Sequence, residues 1–376
     1  MNSQHTSATP QHSGSTDAAP ATPGRDAMVD SLDALYKGRK PLWYANPNPR
    51  SRGGQDPLDA IAVWKRVDPV PHWHYVTFGF SELYTKQQSN PLISGHGFEL
   101  TMRVAIAPGA NAPPVWPMRL LQNLAQYVFK TGNGFHDGHR LNAHGQLAPG
   151  HTTALRALGF AFDPELPAID TPNGRLAFLQ IVGLTADEEL AAQQWETRKL
   201  LDLLLPGMPM WITDLERSSL LDDPELLARA QQGAHSNGSA CVTVYADALN
   251  VVLRKRFLRK GIAEVTLGAR HITQLSQLLP LRLPFGRSLE LRGPQWTLRF
   301  EIARSNSWRI AGGVLTLYVK PKSVHEFATL LHPHQGVYKL PAFQHILWNV
   351  RQTTIRSPDG GVVDIIGADR RATPRS

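Results

Sequence analysis

The stretch His72-Trp-His-Tyr-Val-Thr-Phe-Gly-Phe-Ser-Glu-Leu-Tyr84 opens with a run of strand-forming residues. Aromatic and β-branched side chains from Tyr75 to Phe78 favour an extended backbone, and Gly79 interrupts the run. We therefore predict a strand there. Further along the chain, apolar side chains alternate with other residues from Phe98 to Ile106. This is the clearest period-two pattern in the sequence, and it predicts a second strand.

Other periodicities predict helices and one more strand. Asp56-Pro57 is typical of a helix start, and apolar side chains follow it at helical spacing as far as Trp64. Apolar residues spaced three and four apart between Leu120 and Val128 predict an amphipathic helix. The apolar run Leu176–Leu184 predicts a buried strand, and Pro341–Val350 predicts a further helix.

Composition divides the chain into segments. Its first residues are rich in Ser, Thr, Pro and Gln, so they cannot bury enough apolar surface to offset the entropy of ordering. We predict a disordered segment over residues 1–40, an α/β domain over 41–232 and a Gly- and Ser-rich linker over 233–240. A basic α/β domain over 241–367 and a flexible tail over 368–376 complete the chain.

Charge supports this division. The 376 residues carry a formal net charge of +8, but 20 Lys and Arg against 8 Asp and Glu lie from Cys241 onward. Residues 1–240 carry 19 against 23, so the two parts have opposite balance. The basic part favours an acidic partner, or an acidic face on the first domain.

Cysteine content and hydropathy bear on the cell compartment. A single cysteine excludes an internal disulfide, and we see neither a secretory signal nor an apolar run long enough to cross a bilayer. We therefore expect a cytoplasmic protein without membrane contact.

The search for catalytic motifs is negative. The sequence has no P-loop, no G-x-S-x-G and no H-E-x-x-H pattern. We therefore expect no enzymatic activity and no cofactor. A hydrolase built on His72, His74 and the loop histidines of residues 131–151 remains a minor alternative, and whether that loop binds a metal is left open.

Two further features have structural and functional interpretations. Apolar neighbours predict that Cys241 is a buried thiol rather than a nucleophile. The basic run Arg254–Lys260 could contact phosphates or form a solvated edge. A nucleic-acid partner is not expected, because Phe257 is the single aromatic residue within the run.

Collinear blocks over residues 56–214 resemble the Suppressor of fused family. The quoted stretch His72–Tyr84 is one block, and the match over the C-terminal half is weaker. Further blocks are Gly97-Phe-Glu-Leu-Thr101, Ala112-Pro-Pro-Val-Trp-Pro117, Leu124-Ala-Gln-Tyr-Val-Phe129, Phe178-Leu-Gln-Ile-Val-Gly183 and Trp211-Ile-Thr-Asp214.

The resemblance implies a fold and a function. The fold would be a two-domain Suppressor-of-fused-like α/β architecture with mixed sheets and flanking helices. Animal members bind a Gli-type peptide in the cleft between the domains by strand addition. The resemblance therefore implies a non-enzymatic protein-binding module whose partner is a protein or peptide.

The same resemblance indicates site residues. Tyr127 matches the tyrosine that lines the cleft in animal members. The family's acidic residue after Gly138 is replaced here by His139, although Asp137 is close, so a Gli-type peptide is not the expected ligand. With Trp116 and Arg254 as weaker candidates, the predicted partner-binding residues are Tyr127, Asp137, His139, Trp116 and Arg254.

The type of family member follows from what the sequence lacks. We find no long acidic, Ser-rich insertion of the animal type, which indicates a bacterial-type member. The alternative function is a bacterial immunity protein that masks a toxin domain. The sequence reveals neither the partner nor the oligomeric state.

Overall fold

The computed structural model describes residues 21–86, 90–143, 145–256, 259–356 and 361–368. Side chains at positions 255, 256, 259, 260 and 363 are outside this description. Residues 1–20 of the predicted disordered segment and residues 369–376 of the predicted tail also lie outside it.

The elements are numbered in chain order. Those before residue 240 are α1 (Pro23–Tyr36), β1 (Leu42–Ala45), β2 (Ala60–Arg66), β3 (His72–Phe78), β4 (Ile93–Ala105), α2 (Trp116–Thr131), β5 (Arg140–Asn142), β6 (Leu155–Phe162), β7 (Ile169–Thr171), β8 (Gly174–Thr185), α3 (Ala186–Gln194), α4 (Thr197–Leu204) and α5 (Pro224–Asn237). Those after it are β9 (Thr243–Tyr245), β10 (Asn250–Arg256), β11 (Arg259–Gly268), α6 (Ala269–Leu278), β12 (Leu289–Arg292), β13 (Thr297–Ile302), β14 (Ser307–Ala311), β15 (Val314–Val319), α7 (Val324–Leu330), β16 (Gly336–Lys339), β17 (Ile346–Arg351), β18 (Thr353–Arg356) and β19 (Val362–Ile366).

Within the described residues, the first domain is built on one mixed sheet of eight strands. Its strand order is β1-β2-β3-β4-β8-β6-β5, and β7 pairs with β8 beside this path. The β4–β8 pair is parallel and the other pairs are antiparallel. Helix α2 packs on one face of the sheet, while α1 and α3–α5 pack on the other. Strands β1 and β5 are therefore the two ends of the sheet.

Burial on both faces explains one wrong prediction. Residues 60–64 of β2 are all buried between β1 and β3, and residues 72–78 of β3 are buried throughout. A strand covered on both sides shows no polar alternation, so its apolar run can be mistaken for a helix. The helix predicted after Asp56-Pro57 is therefore wrong, whereas the strands predicted at 75–78, 98–106 and 176–184 are confirmed.

Two helices change the expected segment limits. Helix α1 lies within the segment predicted to be disordered, and its Met28, Leu32 and Tyr36 are buried against the sheet. Helix α5 continues to Asn237, so residues 233–237 of the predicted linker are helical. In both cases an apolar stripe that contacts the sheet or neighbouring helices stabilises a helix despite its polar composition.

The second domain contains two larger sheets over the described residues. One has the strand order β10-β11-β17-β16 and the other β14-β15-β13-β12-β9. A shared apolar core joins them to α6 and α7, and Trp348 at its centre is 0% exposed. Trp348 lies on β17, which pairs with β11, so the helix predicted at Pro341–Val350 is wrong. The two-domain α/β architecture with mixed sheets is confirmed.

No helix among the described residues is long and apolar enough to cross a membrane.

A buried ion pair ties the first sheet together. The guanidinium of Arg103 on β4 donates to both carboxylate oxygens of Asp163, at 2.7 and 3.0 Å, and both side chains are 0% exposed. Arg103 also donates to Glu165 at 2.9 Å. Burial opposes ionisation of Asp163, but His74, whose Nε2 lies 3.4 Å from the carboxylate, and the positive charge of Arg103 outweigh burial and hold the pKa of Asp163 far below its usual range.

A second buried carboxylate belongs to Glu99 on β4. It accepts hydrogen bonds from Thr77 Oγ1 and from the main chain of Gly79 and Ser81, and Ser81 Oγ donates at 2.6 Å. Complete burial nevertheless raises the pKa of Glu99 to about 7, because these donors offset the loss of hydration only in part.

Replacement of Glu99 tests this pKa. The folded state holds the proton more tightly than the unfolded state, so stability falls as the pH rises from about 4.5 through about 7. Between acidic and alkaline pH, the unaltered protein should lose on the order of 3 kcal/mol of its free energy of unfolding through this group. We expect this loss to be absent in Glu99→Gln. Urea titrations across this pH range measure the effect. A parallel decline in both proteins would contradict the raised pKa.

Candidate functional site

An aromatic stack carries the first predicted site residue. Tyr127, on α2, is 43% exposed and stacks on Phe135 with ring centroids 5.9 Å apart. Phe135 is buried and stacks in turn on Phe160 of β6, at 4.3 Å and nearly parallel. The position of the Tyr127 ring is thus fixed from the core, while its outer face is open to contact.

Asp137 anchors the segment that precedes β5. Its Oδ1 accepts the main-chain N–H of Phe162 at 2.9 Å and also lies 3.1 Å from Nη1 of Arg198 on α4. The carboxylate is partly exposed, at 27%. Because a cation of the protein itself already pairs with it, Asp137 serves here to position the chain.

His139 is exposed and stands edge-on to His136, with ring centroids 5.0 Å apart. Partial burial lowers its pKa, and the neighbouring His136 and Arg140 lower it further. His139 is therefore neutral at physiological pH, so it offers a neutral hydrogen-bonding ring. Its main-chain oxygen accepts a hydrogen bond from Phe160 at 2.9 Å.

The two weaker candidates lie elsewhere. Trp116 is 7% exposed and belongs to the core between α2 and the sheet, which corrects its prediction as a partner-binding residue. Its flat apolar ring at the helix start fills the core. Arg254 lies on β10 and pairs across its own hairpin with Glu264 at 2.9 Å. The structure therefore stacks Tyr127 on Phe135, in the segment that also carries Asp137 and His139, and places Arg254 in a separate hairpin.

Sequence reasoning missed the strand that adjoins this group. Strand β5 begins at Arg140, within the stretch predicted as a loop, and it pairs with β6. A three-residue strand is too short to show period-two alternation, so the sequence contains no usable signal for it. The histidine and glycine content of residues 131–151 further obscured the strand.

Arg140 joins the two domains at this point. Its Nη2 lies 3.2 Å from Sγ of Cys241, and its Nε lies 4.0 Å from Glu189 of α3. Cys241 is buried, as the sequence predicts, and it precedes β9 by two residues. Strand β5 ends the first-domain sheet, and β9 ends the five-stranded sheet of the second domain. The side chain of Arg140 on one terminal strand therefore reaches the residue two positions before the other terminal strand.

The histidines of the minor hydrolase alternative occupy different surroundings. His72 and His74 are both 0% exposed, and their ring nitrogens bond to the Val70 carbonyl and the Tyr36 hydroxyl. Burial lowers the pKa of both, that of His74 to about 4. Neither ring is accessible to a substrate, so this part of the alternative is wrong. In the part of the chain that the structure describes, no group of three or more His, Cys, Asp or Glu is arranged to hold a metal ion.

These features define a two-domain α/β protein whose domains are in contact at Arg140 and Cys241. Comparison with known proteins identifies the family. The family profile described as "Suppressor of fused protein (SUFU)" matches residues 54–218. The human "Suppressor of fused homolog" is 36% identical over 232 residues, which cover 55% of this chain and 48% of the human protein. The chain belongs to the Suppressor of fused family.

Solved structures agree with this assignment. The crystal structure of Drosophila Suppressor of Fused superposes with a TM-score of 0.74 at 24% identity, over 89% of this chain and 98% of that one, which shows the shared fold. A chain of the Sufu-Fu complex superposes with a TM-score of 0.52 at 34% identity, over 57% of this chain and 98% of its own length. The match to the human protein spans about half of that protein's length.

Trp116 and Tyr127 both lie on α2 but differ in burial, so we predict that their replacement lowers stability by different amounts. Trp116→Ala should lower the free energy of unfolding by about 3–5 kcal/mol, because it opens a cavity in the core. Tyr127→Ala should cost about 1 kcal/mol, since it removes one aromatic contact of a half-exposed ring. Chemical denaturation of the two variants measures the difference. Equal losses would contradict the assignment of Trp116 to the core and Tyr127 to the surface.

Proposed function

We propose that this protein binds a partner protein by holding an extended segment of it in the cleft between the two domains. The observation that carries the proposal is the Arg140–Cys241 contact, which links β5, a terminal strand of the first sheet, to the residue two positions before β9, a terminal strand of another sheet. An extended segment placed there could pair with both edges by strand addition. The similar chain solved as the Sufu-Fu complex supports a protein-binding role.

The main-chain pattern of β5 suits such pairing. Phe160 donates its N–H to the His139 oxygen, and Ala143 donates to the Arg156 oxygen, so alternate residues of this segment bond to β6. In an antiparallel pair the residue between two bonded positions directs its main-chain groups outward. The N–H and C=O of Arg140 therefore point away from the sheet, toward the side where a further strand would lie.

Strand β9 presents a similar edge. Glu290 donates to the Val242 oxygen and Ala246 donates to the Arg292 oxygen, so positions 242, 244 and 246 bond to β12. The N–H groups of Thr243 and Tyr245 consequently point outward. The Tyr245 carbonyl already accepts a hydrogen bond from His271 Nε2 at 3.1 Å. This edge therefore offers mainly donors to an incoming segment.

Side chains beside the two edges would select the segment. The neutral His139 directly precedes β5, the Tyr127 ring stacks on Phe135 of the segment that leads into β5, and the Tyr245 side chain on β9 is 75% exposed. Arg140 supplies the positive charge between them. Aromatic rings and one arginine beside exposed main-chain groups are typical of protein-recognition sites, in which such residues contribute most of the affinity.

The first test identifies a partner and then removes one edge. Affinity purification from the native host, followed by mass spectrometry, supplies the partner. Thr243→Pro deletes an outward N–H without touching the β12 pairing, so we expect capture to weaken by about tenfold or more. Tyr127→Ala should also abolish or strongly weaken capture while melting remains cooperative.

A matched control lies on the same helix. Gln126 is exposed and adjacent to Tyr127, so Gln126→Ala should capture the partner as the unaltered chain does. Unchanged capture by both Thr243→Pro and Tyr127→Ala would contradict the assignment of the partner site to this cleft.

A further inference from the structure

The opposite edge of the first-domain sheet has the features of a second binding site. Strand β1 ends the sheet on the side away from β5, and all four of its residues are exposed. Leu42, Trp43 and Tyr44 are 49%, 40% and 39% exposed. Natural edge strands are commonly protected by charged residues within the strand. Three consecutive large apolar side chains exposed on an edge strand therefore indicate a protein-binding surface.

The main chain of β1 is arranged to accept another strand. Asn46 donates its N–H to the Asp59 oxygen at 2.8 Å, and Ala45 lies opposite Ala60 of β2. Because bonded positions alternate in an antiparallel pair, Tyr44 bonds to β2, whereas the N–H and C=O of Trp43 and Ala45 point away from the sheet.

A groove lies alongside this edge. It has a volume of about 330 Å³ and is formed between β1 and the N-terminal half of α2. Tyr44 and Ile61 form the sheet side, while Met118, Arg119 and Gln122 form the helix side. Ile61 and Met118 are buried and provide an apolar floor, and Arg119 is exposed at the rim. Alternate side chains of an added strand would enter this groove, since successive residues point to opposite faces.

Charge around the edge indicates the chemistry of the occupant. Between residues 37 and 54 there are five basic residues and no Asp or Glu. All five, Lys37, Arg39, Lys40, Arg50 and Arg52, are exposed. Lys37, Arg39 and Arg66 also line a small polar hollow of about 250 Å³, in which they outnumber the one acidic residue, Asp68. Such a surface attracts carboxylates.

We propose that the β1 edge is a second docking site, which binds an extended acidic peptide segment of another protein by strand addition. Apolar side chains of the segment lie in the groove beside α2, and its carboxylates meet the cations that flank β1. A second copy of this chain fits less well. Antiparallel pairing about β1 would bring Lys37–Lys40 of one copy toward Arg50–Arg52 of the other, and like charges repel.

A nucleic-acid strand is also disfavoured by the contacts of Trp43. One side of this ring packs against Phe78 at 5.0 Å, and the Arg25 guanidinium lies 5.1 Å from the ring centre. The ring is therefore not a free platform on which a base could stack. The outward main-chain N–H and C=O groups of Trp43 and Ala45, in contrast, are suited to hydrogen bonds with the main chain of another polypeptide.

Peptide display on the full chain tests the proposal. Random dodecapeptides are selected against the unaltered protein, and the enriched sequences are then synthesised and measured by fluorescence polarisation. We expect Asp and Glu to be enriched among them, and affinity to fall about tenfold or more in Ala45→Pro. Proline at this edge position removes an outward N–H and leaves the bonds to β2 in place.

Two further variants make the result decisive. The double charge reversal Arg39→Glu, Lys40→Glu alters exposed side chains alone and should weaken binding of the same peptides. This variant replaces Ala45→Pro as the test if Ala45→Pro does not melt cooperatively. Thr243→Pro, at the distant β9 edge, should leave these peptides bound, which separates this site from the cleft.

Several outcomes would overturn the proposal. They are enrichment without acidic residues, peptide binding that survives both β1 variants, preferential binding of an oligodeoxythymidine probe at β1, and a concentration-dependent dimer that Ala45→Pro abolishes. Sedimentation velocity measures the last of these. A dimer would identify a second copy of the chain as the occupant of the edge.

Discussion

The bidentate pair between Arg103 and Asp163 is the constraint on which the first domain depends. Both side chains are fully buried, and Asp163 additionally accepts hydrogen bonds from Thr101 and from the main chain of Glu165 and Leu166. Removal of one partner from such a pair leaves an uncompensated buried charge, which costs about 3–5 kcal/mol. The pair joins β4, in the middle of the sheet, to the residue that directly follows β6. It therefore fixes where β6 ends and where the chain turns.

The candidate cleft is built outward from that turn. Phe162, the neighbour of Asp163, donates its N–H to Asp137, and Gly138 donates to the Phe160 carbonyl. These two bonds place the segment that leads into β5, and Arg198 of α4 holds Asp137 from the other side. The exposed edge at Arg140 is thus supported by hydrogen bonds that reach back to a buried charge. A rigid support of this kind lowers the entropy lost when a partner binds.

The sequence predicted the parts of the fold whose patterns are regular. Strands β3, β4 and β8 and helix α2 have runs that are long, strongly apolar or strictly periodic. Residues 60–64 were taken for a helix because a strand covered on both faces has no polar alternation. Burial does alternate along residues 346–350, but Leu347 on the half-buried face hides that period in the sequence. At the site, Tyr127 and His139 came from collinear family blocks, and the structure places both at the surface. Arg140 could not be found, since its importance comes from a three-residue strand and from a contact with Cys241, which lies 101 residues away in sequence.

The strand path from β1 to β5 has a geometric consequence. Seven strands lie along it, so six inter-strand steps separate the two edges by about 29 Å. Each step also rotates the strand direction by about 20–25°, which accumulates to roughly 120–150° across the path. A ligand backbone aligned with one edge would run at a steep angle to a backbone aligned with the other. The sheet would then hold two separate ligand chains at a fixed spacing and orientation, rather than bind one continuous ligand segment.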